Sequence, residues 1–339
     1  MRSTRAGASA RSVKYRAGRA VERAVRLGSR AVAALSLLGA CAPLPPPARY
    51  PGELPRYREG GRFAVLGDTQ RTSALEFWRE SNDRERALVM QSLAEARPAL
   101  LVVTGDLVFD GSSPGQWADF DALTAPLRAA GIPVFPAFGN HEYWGGAAVE
   151  PLLFARFPHL SWRHWYALEY GPVRLVVLDS NVDELTASGW QQQLDWYAAA
   201  LARFDADPAV RGVLVLLHHP PYTNSTVTGD EEHVARAFVP PFMRAQKTLA
   251  MVSGHVHAYE HFRRGPKTFL VNGGGGGPRV TLATGDARRH PDDRYEAPSP
   301  RDFEYLLAEP KAEGLEITVM GLPKDGDTWR KLEVFTLGW

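Results

Sequence analysis

The sequence predicts an α/β fold, and two features of the chain after residue 61 support that prediction. As far as residue 252, short apolar runs alternate with helical patterns, which is typical of sheets covered by helices. Residues 303–308, 315–320 and 332–337 then read as three consecutive strands. The 339-residue chain is 45% hydrophobic and 23% charged, an ordinary globular composition that excludes the disordered and fibrous classes.

Six buried strands and four helices are expected in the alternating part. The strands are predicted at residues 63–66, 99–103, 134–138, 175–178, 213–217 and 248–252. The helices are predicted at residues 83–96, 116–130, 189–204 and 231–246, the last with an interruption at Pro240-Pro241. Because Gly131 follows the second of these patterns, we expect that helix to end there.

The first forty residues differ from the rest of the chain. Residues 1–30 carry nine cations and one acid, residues 31–40 are uncharged, and Cys41 is the only cysteine. A basic stretch, a short apolar stretch and small residues are typical of a secretory signal, and ten residues are too few to span a bilayer. The segment from Leu38 to Cys41 also resembles the lipobox of bacterial lipoproteins.

Three segments are therefore expected. Residues 1–40 would be a signal peptide of the lipoprotein type, residues 41–60 a lipidated Cys41 with a proline-rich tether, and residues 61–339 the folded domain. This predicts a secreted protein anchored through Cys41 to a bacterial membrane, in the periplasm or at the cell surface. The alternative is a buried N-terminal helix with an incidental free thiol.

Charge and cysteine content exclude several functions. A single cysteine cannot form an internal disulfide or a zinc site built from several thiolates. A formal net charge of +1 argues against a general nucleic-acid binder. Without residues 1–40, 30 cationic side chains face 37 acidic ones, so the predicted mature chain carries a formal charge of −7.

Five predicted strands end in residues that can bind metals, and in four of the motifs a glycine comes first. Ligands bind at the carboxyl ends of strands in open α/β sheets. Carboxylates, an amide and histidines at such ends suit a centre of two metal ions with N and O ligands. The five motifs are Gly67-Asp68-Thr69-Gln70, Gly105-Asp106, Gly139-Asn140-His141-Glu142, His218-His219-Pro220-Pro221 and Gly254-His255-Val256-His257.

In this order the motifs resemble the signature of the calcineurin-like metallophosphoesterase superfamily, which includes the purple acid phosphatases. That signature is Asp-x-His, Gly-Asp, Gly-Asn-His-Glu/Asp, a strand-end histidine and Gly-His-x-His, and the resemblance covers residues 62–272. It implies a four-layer α/β/β/α sandwich, in which two mixed β-sheets are flanked by helices and a dinuclear metal site lies at the strand ends.

The resemblance also implies a role for each matching residue. Asp106 would bridge both metals, Asp68 and His257 would bind the first metal, and the second metal would be bound by Asn140, His218 and His255. His141 would contact the phosphoryl group or protonate the leaving oxygen, which makes His141 and Asp106 the expected catalytic residues.

Residues beside these motifs are candidates for contacting the substrate. They are His141, His219, Tyr222 and Tyr259. His218 is preferred to His219 as the ligand because it lies two residues before a proline, as in the family motif. Strand alternation points the two histidines to opposite sides, so His219 is equally compatible with a role behind the ligands or in packing. For the aromatic residues the alternative is that they pack the bases of the loops.

The chain departs from the family pattern at two positions. Gln70 replaces the histidine of Asp-x-His, so either its amide oxygen binds the first metal or it withdraws and leaves water there. Phe109 stands where purple acid phosphatases have an iron-binding tyrosine, which makes a stable Fe(III) site doubtful. The expected cofactor is a pair of divalent ions such as Mn, Zn, Fe or Co.

The glycine run at residues 273–277 admits two interpretations. It lacks the Gly-Lys-Ser/Thr that ends a phosphate-binding P-loop. It is therefore either a flexible turn after a strand or a loop that walls the active site.

The predicted function is hydrolysis of phosphate esters by a metal-activated water. Two divalent ions and two aspartates leave a charge of +2, which complements a phosphate dianion. Small phosphomonoesters are the first choice of substrate, and a phosphodiesterase or pyrophosphohydrolase on the same centre is the alternative. A lipoprotein that binds metal or phosphate without catalysis is the alternative of another class. The expected partners are small phosphate esters and the membrane contacted through Cys41, and no nucleic acid is expected.

Overall fold

The computed structural model describes residues 45–146 and 149–339. Twelve strands form two mixed sheets of six strands each in this part of the chain. The first sheet has the order β12-β11-β10-β1-β2-β3. Its strands are β1 (Phe63–Leu66), β2 (Leu101–Val103), β3 (Val134–Pro136), β10 (Phe303–Pro310), β11 (Gly314–Leu322) and β12 (Arg330–Gly338).

The second sheet has the order β4-β5-β6-β7-β9-β8. Its strands are β4 (Tyr166–Tyr170), β5 (Val173–Val177), β6 (Gly212–Leu217), β7 (Thr248–Ser253), β8 (Tyr259–Arg264) and β9 (Lys267–Asn272). The pairs β1-β2, β2-β3, β5-β6, β6-β7 and β7-β9 are parallel, and the other pairs are antiparallel.

Seven α-helices occur in the described residues. They are α1 (Asp83–Ala96), α2 (Pro114–Leu123), α3 (Ala125–Ala129), α4 (Val149–Arg156), α5 (Ala187–Ala206), α6 (Glu232–Ala237) and α7 (Val239–Arg244). None of the described helices is both long and apolar enough to serve as a membrane span.

Strand alternation in β6 shows how the layers pack. Leu214 and Leu216 belong to the core that the second sheet shares with the first. Val213, Val215 and Leu217 belong to a separate core beneath α5, α6 and α7. Successive side chains of a strand point to opposite faces, so this sheet is covered on one side by the other sheet and on the other side by helices. The predicted fold class is therefore confirmed.

Proline chemistry explains where two predicted helices divide. The pattern over residues 116–130 forms α2 and α3 with a break at Thr124, because Pro126 has no N–H to continue the hydrogen-bond ladder. The pattern over residues 231–246 breaks at Phe238, so that Pro240 and Pro241 fall in the first turn of α7, where the missing N–H costs nothing.

Four elements were not predicted, and three of them are strands. They are α4, β4, β8 and β9. In β8 the residues Glu260 and His261 are buried although they are polar, since each has hydrogen-bond partners. A search for apolar runs therefore overlooks this strand.

The segment expected to be a tether is in part packed on the domain. Tyr50 is buried, its ring stacks on Phe157 at 4.7 Å between centroids, and its hydroxyl bonds to Thr124 at 2.5 Å. Tyr57 packs edge-on against Tyr170 at 5.3 Å. The folded domain thus begins before residue 61. Cys41 and the predicted signal peptide lie outside the described residues.

Candidate metal centre

The carboxyl ends of strands from both sheets meet at one edge of the sandwich. Parallel strands β1, β2 and β3 bring the loops with Asp68, Asp106 and Asn140 to this edge. In the other sheet, β6 and β7 bring the loops with His218 and His255 to it. Backbone hydrogen bonds join these loops, including one of 3.1 Å from the Asp68 N–H to the Gly105 carbonyl and one of 2.9 Å from the Gly254 N–H to the His218 carbonyl.

Four ligand atoms converge in one group of predicted metal ligands. His218 Nε2 lies 3.0 Å from Asn140 Oδ1, 3.2 Å from His255 Nδ1 and 3.3 Å from Asp106 Oδ1. His255 Nδ1 is itself 3.0 Å from Asn140 Oδ1. These are the residues expected to bind the second metal, and the structure places them together.

The residues expected at the first metal form an adjacent group. His257 Nε2 lies 3.4 Å from Asp68 Oδ1 and 3.1 Å from Gln70 Nε2, and Gln70 Nε2 lies 3.1 Å from Asp106 Oδ2. Asp106 thus turns Oδ1 toward one group and Oδ2 toward the other. This is the geometry that a bridging carboxylate requires.

Backbone carbonyls orient two of the histidines. His218 Nδ1 bonds to the Thr104 carbonyl and His257 Nδ1 to the Pro278 carbonyl, both at 2.8 Å. Because a carbonyl can only accept, each Nδ1 carries the proton and each Nε2 faces the site, as in many metal-binding histidines. His255 is arranged differently and presents Nδ1.

Burial and neighbouring charges shift the pKa values of three of the predicted ligands. Burial alone would raise the pKa of Asp106, but His218 and His141 outweigh it and hold that pKa below its usual range. Burial would lower the pKa of His218, but the Asp106 carboxylate outweighs it and raises that pKa to about 9. Burial, reinforced by His218, lowers the pKa of His255 to about 3. Without a cation, Asp106 and His218 therefore each stabilise the charged form of the other, and the neutral form of His255 is favoured.

Three of the predicted ligands have a left-handed backbone. Asp68, Asp106 and His255 have φ values of 61°, 54° and 67°. Non-glycine residues rarely adopt such angles, and they cluster at functional sites. Gly139, which precedes Asn140 in the third motif, instead leaves room for the Asp106 carboxylate. A Cβ at this position would lie 2.1 Å from Asp106 Oδ1.

Glu142 ties two ligand loops together, a role that the sequence did not reveal. Its Oε2 accepts the N–H groups of Gly139 and Asp106, and its Oε1 accepts that of Leu107, each at 2.8 Å. The side chain is fully buried. Both oxygens act only as acceptors, so the carboxylate fixes the backbone beside Asp106 and Asn140.

The glycine run forms a wall of the site. Residues 273–277 are buried, and the Gly277 N–H donates to the Asp68 carbonyl at 2.9 Å. A Cβ on Gly273 would lie 2.7 Å from Asp68 Oδ2, and one on Gly277 would lie 2.7 Å from the His257 ring. Only glycine allows the backbone to approach these side chains so closely. These contacts favour the second interpretation, a loop that walls the active site.

The Gln70 amide occupies the position between Asp106 and His257. Its two N–H groups face the Asp106 carboxylate and the Nε2 lone pair of His257, while Oε1 is buried without a hydrogen-bond partner. A half-turn of the planar amide would present Oε1 to the same two groups. In the observed orientation, the NH2 group of Gln70 occupies the lone pairs of Asp106 and His257 that would bind a cation. After a half-turn, the Gln70 oxygen would face the same position and could itself act as a ligand.

Two residues expected to contact substrate lie elsewhere. Tyr259 is fully buried, and its hydroxyl donates to Glu333 at 2.8 Å, so the expectation that it lines the pocket is wrong. The Tyr222 ring packs on Phe269 at 5.0 Å, and the Arg264 guanidinium lies 4.0 Å from its centroid. Both rings therefore have the packing role that was the alternative.

Aromatic rings enclose His141. Its Nδ1 bonds to the Phe109 carbonyl at 2.6 Å, and its ring centroid lies 4.9 Å from Phe109 and 3.8 Å from Trp144. His141 Nε2 lies 3.7 Å from Asp106 Oδ2. Phe109, at the position of the iron-binding tyrosine, thus holds the histidine by packing and through its carbonyl.

A sixth strand end, which is not among the predicted motifs, joins the site. After β5, buried Asp179 accepts the Tyr143 hydroxyl at 2.5 Å and lies 3.2 Å from His164 Nδ1. Ser180 Oγ bonds to His219 Nδ1 at 2.8 Å, and the His219 ring lies 4.6 Å from that of His255. The polar run after the apolar residues 175–178 is the signal that could have located this end.

The donor set suits a pair of divalent cations. Two carboxylates, an amide oxygen and three imidazoles range from hard to borderline in ligand softness, and Mn, Zn, Fe(II) and Co accept such ligands. Two groups of potential ligands occur close together in the described residues, namely Asp68, Asp106 and His218, and His218, His219 and His255. A half-turn of the Gln70 amide would also bring its buried, unpartnered Oε1 to the side on which a cation would be bound.

Comparisons with known proteins agree with this geometry. The family model described as Calcineurin-like phosphoesterase matches residues 61–259, more than half of the chain. Purple acid phosphatase 18 of Arabidopsis thaliana is 25% identical over 272 residues, which is 75% of this chain and 54% of that protein. A cAMP/cGMP dual specificity phosphodiesterase of Mycobacterium tuberculosis is 28% identical over 186 residues, covering 52% and 55%. The chain thus spans about half the length of these curated relatives.

Solved structures share the fold. The purple acid phosphatase PPD1 of yellow lupin superposes with a TM-score of 0.62 at 17% identity, covering 82% of this chain and 53% of that one. A dimetal phosphatase of Danio rerio superposes with a TM-score of 0.56 at 16% identity, covering 83% and 100%. At these identities the likeness concerns the fold alone.

Replacing Glu142 by glutamine should destabilise the protein. The new NH2 group would face backbone N–H donors, and leaving a buried donor unsatisfied costs about 1–3 kcal/mol. Urea denaturation of the EDTA-treated protein would measure the change in the free energy of unfolding. The exposed Glu313→Gln provides the control, and an equal effect of both substitutions would show that Glu142 has no anchoring role.

Gln70→His should strengthen retention of the first metal and shift selectivity toward zinc. Imidazole is a softer ligand than an amide oxygen, and it has no NH2 group to cover the His257 and Asp106 lone pairs. Metal analysis after dialysis against equal Mn²⁺ and Zn²⁺ would measure the bound ratio, with Gln192→His on α5 as the control. An unchanged ratio would count against Gln70 as a ligand.

Proposed function

The chain belongs to the calcineurin-like phosphoesterase family, and on that basis we propose that it hydrolyses phosphate esters at the strand-end metal centre. One observation supports this most directly. Asp106 directs one oxygen to each of two groups of ligands, as two cations sharing a carboxylate require. Two divalent ions, when bound, supply an activated water and neutralise charge on the phosphoryl group.

The residues of the chain set the charge of the site. Asp68 and Asp106 contribute two negative charges, while the Asn140 amide and neutral imidazoles contribute none. Two divalent ions would therefore leave a charge of +2 in a buried position, where electrostatic interactions are strong. Such a centre would attract a phosphate dianion and stabilise the charge that develops during displacement.

His141 is suited to move a proton at Nε2. Its Nδ1 is engaged by the Phe109 carbonyl, and its backbone N–H donates to Asp106 Oδ1 at 3.1 Å. Packing against the tilted Trp144 ring holds the imidazole with Nε2 toward Asp106. We therefore assign His141 to protonating the leaving oxygen or contacting the phosphoryl group, and Asp106 to holding the centre together.

Phosphomonoesters are the proposed substrates, supported by the similarity to purple acid phosphatases. Phosphodiesters are the second candidate, because a cyclic nucleotide phosphodiesterase is also among the relatives. Assays with p-nitrophenyl phosphate and bis-p-nitrophenyl phosphate, with and without EDTA, would distinguish the two. A faster rate on the diester would establish the second candidate, whereas no turnover of any ester by metal-loaded protein would favour a non-catalytic binding protein.

We also propose that a lipid on Cys41 attaches the protein to a bacterial membrane from the outside. The support is the sequence of residues 1–41, with its cations, apolar run and sole cysteine. Expression with a labelled fatty acid should label the wild type and not Cys41→Ser, and the variant should move to the soluble fraction. Labelling of both would contradict the assignment.

Asp106→Ala should abolish both metal retention and activity. The substitution removes a carboxylate whose two oxygens face the two groups of ligands, so each metal would lose a negatively charged ligand. Metal analysis of the purified protein would measure the loss, with the exposed Asp119→Ala as the control. Retention of two equivalents of metal would refute the bridging role.

His141→Ala should keep the metals and slow the reaction. Loss of a positioned acid typically lowers the rate by about 10²–10⁴-fold. The measurement is kcat on p-nitrophenyl phosphate together with metal content, and His233→Ala on α6 is the control. Loss of metal in the His141 variant would show that the side chain acts as a ligand or a scaffold.

A further inference from the structure

A cavity of about 510 Å³ lies between the segment at β4 and α5, and none of the predicted metal ligands lines it. Residues 162–167 form one wall, and Trp196 and Arg203 of α5 form the other. Its volume is within the range of about 300–1,000 Å³ that is typical of small-molecule sites. Nothing in the proposed reaction uses it.

The lining of this cavity is aromatic and cationic. It includes the indoles of Trp162, Trp165 and Trp196 and the guanidinium groups of Arg163 and Arg203. None of the eight described residues that line it is acidic. Neither guanidinium forms an ion pair with a described residue, although the predicted mature chain is acidic overall.

Backbone strain marks the segment that presents Trp162. Ser161 and Trp162 are consecutive left-handed residues with φ values of 51° and 61°. A bulky residue rarely adopts this conformation, and such strain persists where the surroundings enforce it. The strained turn holds an indole that is 59% exposed, with its ring 4.7 Å from that of Phe154.

These groups select a particular chemistry. Indole faces bind planar rings by stacking, and guanidinium groups bind phosphate or carboxylate. A neutral sugar would need acceptors for its hydroxyl groups, which the lining scarcely provides. We propose that the cavity binds a planar aromatic anion at a site distinct from the metal centre.

His164 connects the cavity with the loop of His141. His164 borders the cavity, and its Nδ1 lies 2.8 Å from the Tyr143 hydroxyl, two residues after His141 in the chain. On its other side, His164 Nε2 lies 3.2 Å from Glu150 Oε1. An anion in the cavity therefore binds beside His164, which contacts Tyr143 of the His141 loop. It does not replace a metal ligand.

Adenosine monophosphate is a suitable probe, because it combines a planar ring with a phosphate. The full chain is treated with EDTA, so that binding does not depend on metal or on hydrolysis. Calorimetry and tryptophan fluorescence then compare the nucleotide with adenosine, which lacks the charge, and ribose 5-phosphate, which lacks the aromatic ring. Binding of the nucleotide at least tenfold tighter than of either part is expected. Equal affinity for all three, or no binding of the nucleotide at millimolar concentration, would overturn the proposal.

Substitutions locate the binding site. Trp196→Ala and Arg203→Ala should each weaken nucleotide binding at least tenfold, while the exposed Trp78→Ala and Arg84→Ala, outside the cavity, should leave it unchanged. Asp106→Ala should also leave it unchanged, which separates this site from the proposed catalytic function. Loss of binding in Asp106→Ala, or equal effects of cavity and control substitutions, would place the nucleotide elsewhere and refute the proposal. Thermal denaturation of each variant would show that it is folded.

Discussion

The position of the Asp106 carboxylate is the constraint on which the site depends. One oxygen faces His218, the other faces Gln70, and the residue itself has a left-handed backbone. Its N–H is held by Glu142, which also holds the loop of Asn140. Loops from both sheets therefore have to approach within hydrogen-bond distance of a single side chain.

Close approach of this kind leaves little room for side chains. Gly273, Gly277 and Gly139 lie where a Cβ would collide with Asp68, His257 and Asp106, respectively. The same dense packing leaves Gln70 with its NH2 group satisfied and its oxygen without a partner. The first metal position is thus shaped by backbone proximity as much as by the ligands.

Hydrogen bonding also extends the site beyond the expected motifs. Asp179, at the end of β5, accepts a hydrogen bond from the Tyr143 hydroxyl and lies within hydrogen-bond distance of His164 Nδ1. The next residue, Ser180, forms a hydrogen bond with His219. This network connects the loop of His141 with the wall of the aromatic cavity. Because its members come from distant segments, no local pattern in the sequence would have grouped them.

The sequence by itself determined the fold class, the helix at residues 83–96 and the set of residues that meet at the strand ends. Those features depend on local apolar periodicity and on short motifs, which are visible without coordinates. It missed β8, whose polar residues are buried with partners, and it misplaced Tyr259, which lies under β12 with its hydroxyl on Glu333.

Only the tertiary structure decided that Glu142 anchors two loops, that the glycines form a wall, that Tyr50 belongs to the core and that three tryptophans share a cavity. The physical reason is common to all four. Each depends on distances between segments that are remote in the chain, and local sequence preferences carry no information about such distances.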